Sequence, residues 1–150
     1  MEKIGILGHT AQSKRRPADV AIPLWNSGRS LAIDVAVICP LAVSHISQEE
    51  PCESYAMQRK HAYYDEGFVG TNFDFAAMVF ETSGAVNVEG LNVIKQLIHF
   101  ASKREGVLHS VFAGRTWARI ACSIQNSVAQ GILNRAYFVE ESNNIELLNS

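Results

Sequence analysis

Two apolar segments in the first third of the chain each carry one acidic residue. The segments, at about 18 to 25 and 31 to 39, are rich in Val, Ile and Ala and are separated by the polar sequence Asn26-Ser27-Gly28. This pattern predicts a β-hairpin. Asp19 lies in the first strand and Asp34 in the second. An ionised carboxylate is costly to bury, so each acid needs a cation, an arginine or several backbone donors.

The rest of the chain alternates between helical and extended patterns. The predicted elements are a short strand at Lys3 to Leu7, a helix at about 49 to 65, a strand at Phe73 to Glu81 and helices at about 87 to 104 and 108 to 135. The tail from Ala136 to Ser150 is predicted to form an edge strand or to lie loose. These elements predict an α/β fold (mixed α+β), in which an antiparallel hairpin and further strands are flanked by helices.

Length, charge and hydropathy limit the number of domains and the partners that the protein can have. The chain has 150 residues, 47% of them apolar, which fits a single domain over residues 1–150. The formal net charge of −2 gives no global attraction to nucleic acid, so such binding needs a local basic patch, for which the candidate is Lys14-Arg15-Arg16. Apolar runs are interrupted by Asp34 and Pro40 and are shorter than the roughly 18 to 20 residues of a membrane span. We expect a cytoplasmic protein that does not bind membranes.

The hairpin register predicts that the two acids meet. A turn centred between Asn26 and Ser27 places Asp19 directly opposite Asp34, with the Cβ atoms about 4.5 to 5.5 Å apart on one face. Two carboxylates placed in this way suit one Mg²⁺ or Mn²⁺ ion. The alternative is that each acid pairs with an arginine, such as Arg16 or Arg29, and only shapes the hairpin.

The two faces of the predicted hairpin differ in the size of their side chains. The face that carries the acids also carries small residues, which would leave room for an ion, its waters and a phosphate; they are Ala21, Ala32 and Ala36. The opposite face carries larger residues, which we expect to pack against a helix; they are Val20, Ile22, Ile33, Val35 and Val37.

Four sequence motifs occur in an order that resembles a known family. They are Arg16-Pro17-Ala18-Asp19-Val20, Asp34-Val35-Ala36-Val37 followed by Pro40-Leu41, Arg59-Lys60-His61, and Phe75 to Gly84 as F-x-x-M-V-x-E-x-x-G. Over about residues 15 to 135 the chain resembles the restriction-endonuclease-like, or PD-(D/E)XK, domains found beside reverse transcriptases in retroelement-like proteins. The resemblance implies a restriction-endonuclease-like mixed sheet and a metal-dependent nuclease.

The resemblance also implies roles for individual residues. Asp19, Asp34 and the backbone carbonyl of Val35 would bind the metal, Mg²⁺ or Mn²⁺. The lysine usual two positions after the second acid is absent, because position 36 is Ala. Some members carry this lysine on the following helix, where Lys60 is the candidate; a solvated surface lysine is the alternative.

The expected function is therefore hydrolysis of phosphodiester bonds in DNA, with RNA as the second choice of substrate. Asp19, Asp34 and Lys60 would be catalytic, and Lys14, Arg15, Arg16 and His61 would contact the nucleic acid. The alternatives are a catalytically inactive binding or assembly module on the same fold, favoured by Ala36, and a small-ligand enzyme of another α/β class. The long C-terminal helix is a candidate homodimer interface.

Overall fold

A computed structural model describes residues 18 to 148 of the chain, with side chains through residue 135. The predicted strand at Lys3 to Leu7 and the basic residues Lys14, Arg15 and Arg16 lie outside the described part. The chain divides into two compact units, the first ending at Phe100 and the second beginning at Ala101. The first unit holds a mixed sheet with helices and the second is helical, so the class is mixed α+β.

The sheet of the first unit has three strands in the order β1 (Val20–Asn26), β2 (Arg29–Ile38) and β3 (Phe73–Glu81). β1 pairs with β2 antiparallel, and β2 pairs with β3 parallel. The sequence pattern predicts all three strands to within about two residues at each end. β2 is the central strand, and Asp34 lies near its middle.

The hairpin turn is formed by Ser27 and Gly28, one residue later than predicted. Both residues have positive φ, 48° and 80°, as the two central positions of a type I′ turn require. The strand register nevertheless pairs Val20 with Ile33, as predicted. An irregularity in β1 between Ile22 and Asn26, which includes Leu24 at φ 53°, compensates for the shifted turn.

One continuous helical segment follows the hairpin. It consists of α1 (Pro51–Tyr55), a π-helical segment (Ala56–His61) and α2 (Ala62–Phe68). Pro51 occupies the first turn, where a missing N–H costs no helical hydrogen bond. The sequence predicts this helix but not its π-helical turn.

The helical segment packs on the face of the sheet that carries Asp34. The cluster buried there comprises Ile38, Cys52, Ala56, Ala77 and Val79, with Ala36, Tyr55 and Phe75 packed against it. Ala32 is fully buried and pairs with Phe75, whose ring contacts His61, Tyr64 and Phe68. The small residues of this face therefore let aromatic side chains approach the sheet, rather than leaving the open floor that we expected.

The opposite face of β2 is only partly covered in the described structure. Leu31 and Ile33 are each 3% exposed, but Val35 and Val37 are 38% and 48% exposed. The expectation that all the branched residues of this face pack against a helix is therefore wrong for Val35 and Val37, and also for Val20 of β1, which is 46% exposed.

Asn87 closes the outer edge of β3. Its side chain accepts a hydrogen bond from the N–H of Val79 (2.9 Å) and donates one to the carbonyl of Ala77 (3.0 Å). Its own N–H donates to the Val79 carbonyl (3.1 Å). An amide side chain thus takes the place of a neighbouring strand, and the first turn of α3 (Val88–Glu105) begins directly after it.

The second unit contains α4 (His109–Leu148), a helix of 40 residues and roughly 60 Å. This helix continues through residues 136 to 148, so the prediction of an edge strand or loose tail from Ala136 is wrong over that range. Composition after Ala136 remains compatible with helix, because its residues include Glu, Leu and Ile and no proline. Among the described residues, no helix is long and apolar enough to cross a membrane.

Candidate active site

The centre of the site is an ion pair between Asp34 of β2 and Lys60 of the π-helical segment. The carboxylate oxygen Oδ2 of Asp34 lies against Nζ of Lys60, and the two side chains are only 9% and 17% exposed. A carboxylate inside a strand of Val, Ile and Ala requires such a cation to offset its desolvation. The structure therefore brings together the second predicted acid and the lysine predicted to act with it.

The π-helical turn helps to explain how Lys60 reaches the sheet. The N–H of Ala62 donates to the carbonyl of Met57, five residues earlier, which is the bond that defines a π-helix. The wider turn changes the angular position of the residues that follow relative to those of α1. Single π-helical turns within α-helices are frequent at functional sites.

Asp19 lies just before β1 and reaches the same part of β2. Its N–H donates to the carbonyl of Ile33 (3.0 Å), and its Oδ2 accepts a hydrogen bond from the N–H of Val35 (2.8 Å). The carboxylate therefore takes the hydrogen-bonding place of a strand partner at Val35, the residue after Asp34. The paired residues of the two strands begin at Val20 and Ile33, so the predicted direct pairing of Asp19 with Asp34 is not among them. Since the N–H and C=O of one strand residue point to the same edge, the carbonyl of Val35 faces the side of β2 on which Asp19 lies.

Tyr64 of α2 reports the electrostatics of this cluster. Burial raises the pKa of its phenol, Asp34 raises it further, Lys60 lowers it, and Tyr63 and Asp19 add smaller increases. The charges of both acids and of the lysine therefore act on the Tyr64 phenol, and the effect of the acids on its pKa exceeds that of Lys60. The Tyr64 hydroxyl consequently stays protonated and is available as a hydrogen-bond donor near neutral pH.

Lys60 remains an ammonium group. Burial lowers its pKa, but the hydrogen bond and charge of Asp34 outweigh that effect and raise the pKa above its ordinary value. The ring of Tyr55, whose centroid is 5.8 Å from Nζ, also faces the ammonium. Lys60 therefore offers positive charge and donors rather than a free amine base.

Asp19 and Asp34 supply carboxylate oxygens, the ligand type that hard divalent cations prefer. Among the residues with described side chains, no group of three or more His, Cys, Asp or Glu is placed to hold a metal ion. Mg²⁺, however, is usually held by one or two carboxylates together with waters and substrate phosphates. Asp19 is exposed and uses one acceptor site for Val35, which leaves others for an ion. Two carboxylates against one ammonium also leave negative charge to neutralise.

His61 follows Lys60 but is held by two carboxylates. Its Nδ1 and Nε2 each lie 2.8 Å from a carboxylate oxygen, of Asp65 and Glu89 respectively. Burial lowers its pKa, whereas the hydrogen bonds and charges of Glu89 and Asp65 prevail and raise it. Because both ring nitrogens are engaged, a direct phosphate contact by His61, as predicted, would require one of these bonds to break.

The structure also bears on the alternative that Asp19 and Asp34 each pair with an arginine. Arg29 does not pair with Asp19 or Asp34; its Nε donates to Asp74 (2.6 Å) and its guanidinium donates to the carbonyl of Phe73 (2.7 Å). The other arginine considered, Arg16, lies outside the described residues.

Sequence reasoning missed the tyrosines of the site. Tyr55 and Tyr64 flank Lys60 at positions five before and four after it. For Tyr64 the available signal was its i,i+4 spacing from Lys60, because such residues share one face of a helix. Tyr55, five residues before Lys60, gives no such signal.

The chain was compared with family models, curated proteins and solved structures, and none of them matches it. The function must consequently be inferred from the contacts of Asp19, Asp34 and Lys60 and from the charges that act on Tyr64.

Proposed function

We propose that the protein is a metal-dependent phosphodiesterase that cleaves DNA, built on a restriction-endonuclease-like domain. The observation that carries this proposal is the convergence of Asp34 with Lys60, a lysine supplied by the helix after the hairpin. Asp19 adds a second carboxylate beside Asp34 through its bond to Val35. Carboxylates can hold a divalent ion, and a nearby ammonium can stabilise the charge that develops on the phosphate.

The acids would hold one Mg²⁺ or Mn²⁺ ion. Asp34 would supply the inner ligand, Asp19 the solvent-facing one, and the carbonyl of Val35 a third oxygen. A divalent ion bound there supplies Lewis-acid polarisation of the phosphate and lowers the pKa of a bound water. The buried position of Asp34 fixes its orientation before any ligand binds.

Lys60 would stabilise negative charge. Its raised pKa keeps the ammonium protonated, so it can donate to a non-bridging phosphate oxygen or to the attacking hydroxide as charge develops. The pair with Asp34 holds Nζ in place before the substrate binds, so less reorganisation would be needed during the reaction. Tyr64, whose raised pKa keeps its phenol protonated, would add a neutral donor within the electrostatic field of the same three groups.

Substrate binding away from the reacting phosphate would depend on local basic residues, because the net charge of the chain is −2. Lys14, Arg15 and Arg16 precede Asp19 by only a few residues and are the candidates for contacts with the DNA backbone. Such contacts make binding weaken as salt concentration rises.

Nicking of supercoiled plasmid in Mg²⁺ or Mn²⁺ tests the proposal. We expect cleavage by the wild-type protein and its loss in Asp34→Asn, because the amide removes the charge that binds the ion. Asp74→Asn is the matched control, since Asp74 pairs with Arg29 rather than with Lys60 and should leave cleavage unchanged.

A labelled single-stranded RNA is assayed in parallel. Cleavage of RNA alone would replace the substrate but keep the chemistry. Absence of cleavage of both nucleic acids by the wild type, or full cleavage by Asp34→Asn, would overturn the proposal. Circular dichroism of both variants confirms that each is folded.

A further inference from the structure

The helix α4 carries an exposed face opposite its packed one. Ile124 is buried, and Ile120 and Val128, one turn away on either side, are half-buried. Cys122 lies two positions from Ile124, which is about 200° of rotation around the helix axis. Residues at steps of four and seven share one side of a helix. Those on the side of Cys122 are all exposed and form what we call the open face of α4: Val111, Arg115, Cys122, Ala129 and Leu133.

Charge is segregated along this helix. The basic segment, residues 109 to 135, contains three arginines and no acidic residue; the arginines are Arg115, Arg119 and Arg135. The acidic segment, residues 136 to 148, contains three glutamates and no lysine, arginine or histidine; the glutamates are Glu140, Glu141 and Glu146. The two segments therefore carry formal charges that are equal in size and opposite in sign.

The charge pattern is complementary to itself when the direction of the helix is reversed. Arg115 and Arg119 precede Ala129 by 14 and 10 positions, and Glu140 and Glu141 follow it by 11 and 12. Two antiparallel copies that meet at Ala129 would therefore bring the basic segment of each alongside the acidic segment of the other. A parallel pair would place like charges side by side, which costs binding free energy.

Duplex DNA fits the open face less well than a second copy does. The basic segment would attract phosphates, but the acidic segment of the same helix would repel them. Val111 and Leu133 are 42% and 52% exposed, and their apolar surface is stabilised by contact with other apolar groups rather than with phosphates. The charge pattern and the exposed apolar residues thus favour the same partner.

We propose that the open face of α4 binds the same face of a second copy of this chain, in an antiparallel arrangement centred near Ala129. Such a contact has twofold symmetry, the commonest symmetry of homo-oligomers. The pairing is independent of the proposed nuclease activity, because Asp34 lies on β2 and Lys60 on the π-helical segment rather than on α4.

Sedimentation equilibrium of the full chain in reducing buffer at low salt tests the pairing. We expect twice the mass of one chain, and a dimer Kd that rises with salt concentration because screening weakens the attraction between the two segments. A wild-type protein that stays monomeric over the whole concentration range would overturn the proposal.

Charge reversal tests which segments meet. The double variant Arg115→Glu with Arg119→Glu should raise the dimer Kd about tenfold or more, because it places acidic side chains alongside the acidic segment. Further replacement of Glu140→Arg and Glu141→Arg should restore the wild-type Kd. An unchanged Kd in the double variant, or no recovery in the fourfold variant, would overturn the antiparallel arrangement.

A matched control makes the same change in net charge elsewhere. Lys103→Glu with Arg104→Glu alters two exposed residues at the end of α3 and should leave the dimer Kd unchanged. A rise in Kd equal to that of the variant in α4 would show an effect of net charge alone and would overturn the proposal. Circular dichroism confirms that every variant keeps its helix content.

Cross-linking measures the register. In a background of Cys39→Ser and Cys122→Ser, a short bis-maleimide should join two copies of Ala129→Cys, because the two central positions face each other. Two copies of Val111→Cys should not be joined, since the antiparallel pairing separates them by roughly 54 Å along the helix axis. Equal cross-linking at both positions would show a parallel pair and overturn the proposal.

The thiol of Cys122 provides a readout without substitution. In dilute protein, where the monomer prevails, Cys122 is exposed, and its labelling by iodoacetamide should slow as protein concentration rises. Cys39 is the control, because it is exposed outside α4 and should label at a constant rate. Equal rates for Cys122 at all concentrations would overturn the proposal.

Fluorescence anisotropy with a labelled DNA duplex tests the other partner. A wild-type protein that binds DNA as a monomer and loses this binding in Arg115→Glu with Arg119→Glu would show that α4 contacts DNA and would overturn the proposal. DNA binding that persists in this variant supports the assignment of the open face to a second copy.

Discussion

Lys60 and Asp34 form an ion pair that joins the π-helical segment to the central strand of the sheet. The pair has two consequences. It offsets the cost of placing a carboxylate in an apolar strand, and it sets an ammonium beside the oxygen that would bind a divalent ion. The same contact therefore contributes both to the packing of the helix on the sheet and to the assembly of the site.

Removal of Lys60 should destabilise the protein. Lys60→Ala leaves Asp34 buried without its cation, and we expect the free energy of unfolding to fall by about 1 to 3 kcal/mol, below the 3 to 5 kcal/mol of a fully buried pair, because Lys60 retains some exposure. Urea unfolding at neutral pH measures the change.

A double-mutant cycle separates the pair from general damage to the helix. Lys60→Ala combined with Asp34→Asn should be less destabilised than the sum of the two single variants, since the double variant has no unpaired charge. The pair of Arg29 and Asp74, whose side chains are 42% and 43% exposed, is the control and should give a coupling below about 1 kcal/mol. Additive effects at Lys60 and Asp34 would show that the ion pair does not stabilise the fold.

Divalent ions should stabilise the folded protein. An ion that binds only the native state adds about 2.7 kcal/mol to the free energy of unfolding when its concentration is a hundred times Kd. Mn²⁺ should therefore raise the melting temperature. Asp19→Asn should reduce this rise if Asp19 is a ligand of the ion, as we propose, whereas Asp74→Asn should retain it. Differential scanning calorimetry with and without Mn²⁺ measures the melting temperature. Equal shifts in the wild type and Asp19→Asn would exclude Asp19 as a ligand.

The hairpin shows how far the sequence predicts the site. Alternating apolar residues place both strands, and the assumed turn gives the observed pairing of Val20 with Ile33. That turn is nevertheless misplaced by one residue. The pairing survives because the irregularity in β1, where Leu24 adopts positive φ, absorbs the difference. The pattern of hydrophobic residues does not indicate that a leucine adopts a positive φ, so this irregularity in β1 could not be predicted from the sequence.

The helix shows what the sequence leaves open. Helix-forming residues predict the element, but helix propensity does not distinguish an α-helical from a π-helical turn at Ala56–His61. The direction of Lys60 depends on that turn. Similarly, the alanines of β2 indicate small side chains but not their neighbours. In the structure Ala32 pairs with Phe75, and the rings packed there come from residues distant in the chain.

Asn87 should be essential for stability. Asn87→Ala removes two side-chain hydrogen bonds from the outer edge of β3, one to the N–H of Val79 and one to the carbonyl of Ala77. We expect a loss of about 2 to 4 kcal/mol, because both backbone groups are left without these partners. Asn72→Ala is the control, as its bond to Gly28 is long (3.4 Å) and exposed. Chemical denaturation should show a small change for the control and a large one for Asn87→Ala.

The three cysteines should differ in reactivity. Burial, followed by the charge and hydrogen bond of Glu81, raises the pKa of the Cys52 thiol to about 12. The thiols of Cys39 and Cys122 are exposed. Since the thiolate is the reactive form, iodoacetamide at pH 8 should label Cys39 and Cys122 much faster than Cys52 in the folded protein. Mass spectrometry of tryptic peptides gives the order, and equal labelling would contradict the burial of Cys52.

The contacts of His61 with Asp65 and Glu89 should make stability depend on pH. The folded-state pKa of His61 is raised above 6.5, so the protonated ring stabilises the fold fully below pH 6.5. That contribution is lost as pH rises through the folded-state pKa. The difference in melting temperature between the wild type and His61→Gln should therefore be largest below pH 6.5 and shrink as pH increases, because glutamine retains polar contacts but carries no charge.

Glu89→Gln tests the origin of this pH dependence. Glu89 bonds both to His61 and to the N–H of Ala77 on β3, and glutamine can preserve the second contact through its carbonyl oxygen. Without the carboxylate the pKa of His61 should fall towards 6.5, so the loss of stability should begin at lower pH than in the wild type. NMR titration of the His61 ring measures this pKa directly. A wild-type value at or below 6.5, or an unchanged value in Glu89→Gln, would show that the carboxylate does not hold His61 in its charged form.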